Sequence, residues 1–180
     1  IGLPELVGVL DRDFEGAEPL RQRLWNKTPK YGNDDERADD LMVRVFDLAF
    51  RHIDGRPNGK GGAYRLEMLP TTSHVYFGGV CLASADGRKA GAPLSEGISP
   101  VQGADRRGPT AVLKSAGRMD HVKTGGTLLN MKFTPALLEG DDGLDNLTHL
   151  IRSYFRLDGH HIQFNVVNAE TLRKAQARPE

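Results

Sequence analysis

Residues 127–167 decide the fold class, and they read TLLNMKFTPALLEGDDGLDNLTHLIRSYFRLDGHHIQFNVV. The stretch predicts a strand over residues 127–133, an amphipathic helix over residues 144–155 and a second strand over residues 160–167, which we expect to be buried on both faces. The apolar positions of the helix are Leu144, Leu147, Leu150, Ile151, Tyr154 and Phe155. A strand, a helix and a strand in this order predict parallel strands joined by a crossover.

The rest of the chain extends the same alternation. Apolar spacing, prolines and capping residues predict further helices over residues 5–14, 18–26, 38–52, 109–116 and 169–177. Residues 63–69 alternate between apolar and charged side chains, which predicts a strand that ends at Pro70. Residues 71–108 have no clear periodicity. The predicted class is therefore α/β, with a long loop region in the middle of the chain.

Composition excludes several kinds of protein. The 180 residues contain 24 Lys and Arg and 24 Asp and Glu, so the formal charge is zero, and no basic face predicts a nucleic-acid partner. No apolar run approaches the roughly 18 to 20 residues of a membrane span, and the sequence has no secretory pattern. The single cysteine, Cys81, excludes an internal disulfide and fits a reducing compartment, so we expect a cytoplasmic protein.

Glycine is the most informative residue type. The chain has 21 glycines in 180 residues, where about 7% is ordinary, and they concentrate between Gly55 and Gly126. Long irregular segments in a compact fold are usually functional when they are ordered, because their backbone groups need specific partners. We therefore expect a site in this region.

Several motifs allow both a chemical and a structural interpretation. His160 and His161 suggest a metal site, but adjacent strand residues point to opposite faces, which favours ordinary histidines. Residues 86–89, DGRK, resemble a phosphate cradle but lack the P-loop spacing, so a turn is favoured. Residues 123–126, KTGG, are weak evidence for nucleotide binding for the same reason. Cys81 has apolar neighbours, which favours an inert buried thiol over a nucleophile.

Small hydroxyl side chains follow the predicted strand at residues 63–69. Thr71, Thr72 and Ser73 come directly after its end, where a polar substrate could be bound or where they could simply cap a loop. Arg65 and Glu67 lie on one face of that strand, and their spacing fits a buried pair, a substrate anchor or solvent-facing side chains. Spacing alone leaves these alternatives open.

Longer strings give a more specific result. They occur in the order NKTPKYGNDD (residues 26–35), MLPTT (68–72), YFG (76–78), DGR (86–88), LSEGISP (94–100), GPTAV (108–112) and GHHIQFNV (159–166). Together they resemble the pyruvate formate-lyase-like glycyl radical enzymes over essentially the whole chain. The resemblance is greatest to the dehydratase and lyase branch that includes the hydroxyproline dehydratases.

This resemblance implies a fold and a reaction. The expected fold is the C-terminal part of a ten-stranded α/β barrel of the pyruvate formate-lyase type, with residues 1–180 as an incomplete domain. The expected activity of the parent protein is that of a glycyl radical lyase of anaerobic metabolism, which cleaves C–O, C–N or C–S bonds of a small polar substrate such as hydroxyproline or glycerol. Alternatives are a pyruvate formate-lyase-type acyltransferase and a non-catalytic fragment that complements a partner chain.

The family's two radical loops have no counterpart in this sequence. The thiyl loop reads Gly-Cys-Val-Glu, which does not match Cys81, and we expect it upstream of Ile1. The radical loop reads Arg-Val-x-Gly-Tyr, and we expect it beyond Glu180. The resemblance therefore assigns no catalytic residue, no metal and no bound cofactor to this chain, which alone should be inactive. The parent enzyme would need a glycyl radical installed by an S-adenosylmethionine-dependent iron-sulfur activase.

The resemblance also assigns substrate-binding positions and partners. Thr71 matches a position that lines the substrate pocket, Thr72 is a neighbour with a weaker claim, and Arg65 matches a position that reaches anionic substrates. His160 and His161 would belong to a buried core strand. The expected partners are the small-molecule substrate, the radical activase and a second copy in a homodimer, with neither nucleic acid nor membrane.

Overall fold

The computed structural model describes residues 1–69 and 72–178. Seven α-helices and two strands follow in the order α1 (Leu3–Asp11), α2 (Glu18–Lys27), α3 (Glu36–Ile53), α4 (Ser73–Val80), α5 (Pro109–Ala116), β1 (Leu129–Phe133), α6 (Gly140–Arg156), β2 (Ile162–Val166) and α7 (Ala169–Ala177) within these residues. Short 3-10 helices at His121–Lys123 and Pro135–Leu138 lie on either side of β1. The predicted α/β class is confirmed.

The sheet is formed by β1 and β2, which pair in parallel. The register aligns Leu129 with Ile162 and Phe133 with Val166, and α6 makes the crossover between the two strands. The prediction of parallel strands joined by a helix is therefore confirmed. The helix between the strands fits this pairing, because neighbouring parallel strands cannot be joined by a tight turn and need a crossover connection.

The main hydrophobic core lies between one face of this sheet and three helices. Its buried members are Phe46, Ile98, Val112, Leu113, Ala116, Met119, Leu129, Met131 and Tyr154. Burying one leucine side chain such as that of Leu129 contributes roughly 1.5–3 kcal/mol to the free energy of unfolding. A smaller core of Val9, Phe14 and Ala83 joins α1 to the loop after α4. The three helices of the main core therefore pack against one side of the sheet.

The strand predicted over residues 63–69 forms only in part. Met68 makes a parallel bridge with Thr127, and its N–H donates to the carbonyl oxygen of Gly126 at 2.9 Å. Tyr64 pairs instead with the turn after α3, through Gly55 and Arg56. Because its first half is engaged by that turn, the segment carries isolated bridges rather than a regular strand.

Helix α4 was not predicted from the sequence. It lies inside the segment without periodicity, and its large apolar side chains Val75, Tyr76, Phe77 and Val80 are all exposed. A helix with this pattern has no amphipathic stripe, so the spacing of apolar residues does not reveal it.

The prediction that residues 160–167 form a strand buried on both faces was wrong. His160 and His161 precede β2 and are exposed. Within β2, Ile162 and Phe164 pack against the core, while Gln163 is exposed. The core helices pack against the face that carries Ile162 and Phe164, so the intervening residues face away from the core. The described residues contain two strands, and they do not by themselves show the ten-stranded barrel that the resemblance implies.

Candidate functional site

The side of the sheet that faces away from the helices is polar. Asn130 pairs with Gln163, and Lys132 pairs with Asn165, so these four side chains lie together on one surface, which we call the polar face. The intervening residues Leu129 and Met131 are buried in the core. Because successive side chains of a strand point to opposite faces, the polar face follows directly from the alternation in both strands.

A pocket of about 520 Å³ lies against the polar face. Besides the polar face, its lining consists of Leu69, His74, Glu96, Gln102 and Leu128. The imidazole Nε2 of His74 lies 3.8 Å from Oε2 of Glu96, and both side chains are mostly covered. The lining includes the cationic side chain of Lys132 and the carboxylate of Glu96, so the pocket presents a positive and a negative charge to a ligand.

The loop that carries Glu96 is fixed to β1 by hydrogen bonds. Ile98 donates its N–H to the carbonyl oxygen of Leu128 at 3.0 Å, and Asn130 donates its N–H to Oγ of the buried Ser99 at 2.8 Å. Gly97 has a φ of +50°, and an added Cβ would lie 2.4 Å from the carbonyl oxygen of Leu128. Glycine is therefore required where this loop approaches the strand.

The amide of Asn130 has unused capacity for hydrogen bonding. Its Oδ1 is buried and has no hydrogen-bond partner within the described residues. Buried polar atoms are normally paired, and leaving one unpaired costs about 1–3 kcal/mol. Since Asn130 also lines the pocket, its amide lies beside the space that a ligand would occupy.

Of the three predicted substrate-binding residues, the two that the structure describes, Thr72 and Arg65, do not line this pocket. Thr71 lies outside the described residues. Thr72 is exposed at the start of α4, and its side chain makes no capping hydrogen bond. The guanidinium of Arg65 is 74% exposed and forms an ion pair of 3.0 Å with Asp54 at the end of α3. Arg65 and Glu67 are both exposed, which agrees with the alternative of solvent-facing side chains and excludes a buried pair.

The polar face and Glu96 were not predicted as site residues. Asn130 and Lys132 alternate with buried residues in β1, and Gln163 and Asn165 do so in β2. This alternation was readable in the sequence as one polar face on each predicted strand. The position of Glu96 was not readable, because it depends on the loop contacts with Leu128 and Asn130.

The DGRK motif has a structural role in its own loop. The side chain of Arg88 is buried and donates to the carbonyl oxygens of Ala92, at 2.7 Å, and Leu82. The guanidinium therefore holds its own loop together, which agrees with a turn rather than a phosphate cradle.

Among the residues that the structure describes, no group of three or more His, Cys, Asp or Glu side chains is arranged to hold a metal ion. Within the same residues, no helix is long and apolar enough to cross a membrane.

Fold and site together define part of an α/β protein in which helices cover one face of a parallel sheet and a polar pocket lies on the other. Two family models match the sequence, "pyruvate formate lyase-like" over residues 1–78 and "glycine radical" over residues 94–180. The chain belongs to the pyruvate formate lyase-like glycyl radical family. The resemblance seen in the sequence is thereby confirmed.

Individual relatives agree with this assignment. The chain is 53% identical to trans-4-hydroxy-L-proline dehydratase of Clostridioides difficile over 175 residues, which are 97% of the chain and 22% of that relative. The crystal structure of that species' hydroxyproline dehydratase with trans-4-hydroxy-L-proline bound matches 99% of the chain and 23% of its own length, with a TM-score of 0.95 and 51% identity.

The B12-independent glycerol dehydratase of Clostridium butyricum, in its glycerol-bound form, also matches. Its TM-score is 0.91 at 42% identity, over 99% of the chain and 23% of that structure. The chain thus spans less than a quarter of the length of these relatives.

Proposed function

We propose that this chain forms part of a glycyl radical dehydratase or lyase that cleaves a C–O bond of a small polar substrate. The observation that carries the proposal is the match to hydroxyproline dehydratase, at 53% identity over 97% of the chain. The glycerol dehydratase match extends the likeness to a second dehydratase. A carbon-oxygen lyase is therefore favoured over a pyruvate formate-lyase-type acyltransferase.

The proposal gives the polar face the role of an inner wall of the active site. Sheets with parallel strands are normally covered on both faces, so further polypeptide should face Asn130 and Lys132 across the pocket. This supports the ten-stranded barrel, of which β1 and β2 would be two strands. An enclosed pocket would exclude water and protect a reactive intermediate.

In this arrangement the chain binds and orients the substrate. Lys132 would hold an anionic group, Glu96 would hold a cationic group, and Asn130 would add a polar amide to the same wall of the pocket. Thr71 and Thr72 remain proposed substrate-binding residues, and Arg65 remains a proposed anchor. A glycyl radical would generate the cysteine thiyl that abstracts hydrogen from the substrate, and the proposal assigns neither radical centre to a residue of this chain.

The proposed partners follow from the same family membership. They are a small-molecule substrate, an S-adenosylmethionine-dependent iron-sulfur activase that installs the radical, and a second subunit in a homodimer. The proposed location is the cytoplasm, where the thiol of Cys81 stays reduced.

The test is anaerobic activation of the full-length protein that contains this sequence. After incubation with the activase, S-adenosylmethionine and a reductant, we expect a glycyl radical spectrum by electron paramagnetic resonance. Addition of trans-4-hydroxy-L-proline or glycerol should then yield a product that has lost the elements of water, detected by mass spectrometry. A radical spectrum without dehydration of any polyol or hydroxylated amino acid would exclude the proposed reaction.

A second candidate is a non-catalytic module that complements a partner chain. The observation in its favour is the exposed apolar surface, which on α3 includes Val45 at 66% and on α4 includes Tyr76 at 71%. Large exposed apolar patches mark surfaces that pack against other polypeptide. The two candidates differ in the activation test, because only the enzyme acquires a radical and turns over.

A further inference from the structure

A second pocket, which is basic, is lined by residues other than those of the polar face. It has a volume of about 220 Å³ and forms where the loop between α2 and α3 meets the loop before α5. Five of its lining residues are cationic, namely Lys27, Lys30, Arg37, Arg106 and Arg107. This concentration is notable in a chain whose formal charge is zero. None of the residues that line it also lines the pocket at the polar face.

Three of these cations are held by neutral groups rather than by carboxylates. Lys30 Nζ donates to the carbonyl oxygen of Leu24 at 2.7 Å. Arg106 Nη1 donates to Oδ1 of Asn26 at 2.7 Å, and its guanidinium lies 5.9 Å from the centre of the Trp25 ring. These contacts fix the position of each charge without neutralising it.

Arg107 is held in the same way, because its Nη1 donates to the carbonyl oxygen of Asn33 at 3.2 Å. The carboxylate that lines the pocket is Asp35, and it is already paired with Arg37 at 2.7 Å. Arg118 offers a contrast elsewhere in the chain. Four carboxylates surround it within 4 Å, those of Asp34, Glu36, Asp39 and Asp40. The lining of the pocket thus carries five cations against one carboxylate, and that carboxylate is paired with Arg37.

Asn33 makes the pocket a preformed structure. Its buried side chain donates from Nδ2 to the carbonyl oxygens of Ala104, at 2.7 Å, and Lys30, at 3.1 Å. Its Oδ1 accepts the N–H of Arg106 at 2.7 Å. One side chain therefore ties both loops together and fixes the backbone from which the cations extend. A ligand would find the charges already in place, which reduces the entropic cost of binding.

The electrostatics of Lys30 agree with an anion site. Burial lowers the pKa of Lys30, and the nearby charge of Arg106 lowers it further against the opposing effect of Asp86. Two cations held close together repel each other, and a bound anion would relieve this repulsion.

We propose that this pocket binds a small oxyanion of the phosphate class, either free phosphate or a phosphomonoester. A guanidinium has five N–H donors in a planar fork that matches phosphate oxygens, and Arg106 uses two of its groups on Asn26 and Gly103. Its remaining donors, with the ammonium groups of Lys27 and Lys30, would surround three or more anionic oxygens. A carboxylate has only two oxygens and would leave donors unused.

The test is a titration of inorganic phosphate into the full protein by isothermal calorimetry, at ionic strength held constant with sodium chloride. We expect saturable binding of one phosphate per chain. Lys27→Gln and Arg106→Gln should each weaken it about tenfold or more, because each removes a charge-assisted hydrogen bond. Lys174→Gln, which changes an exposed lysine of α7 paired with Glu170, is the matched control and should leave the affinity unchanged.

Three results would overturn the site. They are no saturable heat with phosphate, equal binding of acetate at the same ionic strength, and full affinity in the Lys27→Gln Arg106→Gln double variant. Lys27 is exposed, so its substitution tests the site even if Arg106→Gln disturbs the loop. A second titration, with glycerol phosphate in place of inorganic phosphate, distinguishes the two sources of the phosphate group. Tighter binding of glycerol phosphate would identify a phosphomonoester as the ligand, and tighter binding of inorganic phosphate would identify the free ion.

Discussion

The hydroxyl of Ser115 donates a hydrogen bond of 2.8 Å to Oδ2 of Asp39, and neither side chain is exposed to solvent. The same oxygen of Ser115 accepts the N–H of Asp34 at 2.9 Å. One residue of α5 thus pairs with one oxygen of a buried carboxylate of α3 and with a backbone amide just before that helix. Because both partners are buried, this contact holds the two helices together more firmly than the surface ion pairs around it.

Substitution Ser115→Ala should therefore destabilise the protein. It removes the hydrogen bond to Asp39 and leaves the amide of Asp34 without its partner, so the free energy of unfolding should fall by about 1–3 kcal/mol. Urea unfolding followed by circular dichroism measures the change. The matched control on the same helix is Lys114→Ala, whose exposed ion pair with Asp34 should contribute less than about 1 kcal/mol. Equal losses in the two variants would contradict the structural role of Ser115.

His121 should make stability depend on pH. Its imidazole is buried, with Nδ1 2.8 Å from Oγ1 of Thr127 and Nε2 3.1 Å from the carbonyl oxygen of Ala116. Burial lowers its pKa below the ordinary value of 6.5, so the unfolded state binds the proton more readily than the folded state. The contribution is fully present above pH 6.5 and is lost as the pH falls through that value, with a slope of at most about 1.4 kcal/mol per pH unit.

The measurement compares urea unfolding of the wild type and the His121→Gln variant between pH 7.5 and about 5. The variant should lose less stability over this range because glutamine does not titrate. His149→Gln, a change at an exposed position of α6, serves as the control and should preserve the wild-type slope. Parallel curves for the wild type and His121→Gln would contradict the assignment.

The sequence predicted the parts of the fold that depend on local patterns. The helix at Glu36–Ile53 and the unit from Leu129 to Val166 have regular apolar spacing and were both expected. Helix α4 was missed because its apolar residues are exposed. His160 was misplaced because alternation does not tell how many faces of a strand are covered.

The residues of the pocket at the polar face were harder to predict, because they come together through contacts between distant parts of the chain. Thr72 and Arg65 were chosen from their position after and within one predicted strand, whereas the pocket is formed by both strands and by the loop that carries Glu96. That loop is placed by the contact between Gly97 and Leu128, which are distant in sequence. A single sequence does not report such a contact.

Gly159 should tolerate no side chain. An added Cβ would lie 2.4 Å from the ring of Tyr154, which is fully buried in the main core. Gly159→Ala should therefore lower the free energy of unfolding by about 1–3 kcal/mol, because the ring cannot move without disturbing the core. Gly59→Ala is the control, since nothing lies within 4 Å of its added Cβ. A thermal melt of both variants measures the difference, and an unchanged melting temperature for Gly159→Ala would contradict this packing.

Substitutions of Lys132 and Arg65 should show which of the two positive charges binds the substrate. Lys132 lines the pocket at the polar face, whereas Arg65 is paired with Asp54 at the surface. In the activated full-length enzyme, Lys132→Gln should raise KM for a carboxylate-bearing substrate about tenfold or more, which is the cost of one charge-assisted hydrogen bond. It should not change KM for an uncharged polyol to the same extent.

Arg65→Gln is the matched comparison, because it also removes one positive charge. Loss of its exposed ion pair should cost less than about 1 kcal/mol of stability. If Arg65 also anchors the substrate, as the sequence resemblance implies, KM for the anionic substrate should rise in this variant too. A rise for Arg65→Gln without one for Lys132→Gln would move the anionic subsite from the polar face to the segment that carries Arg65. Since both variants keep the described core intact, the glycyl radical spectrum should remain unchanged in each, which separates a binding defect from failed activation.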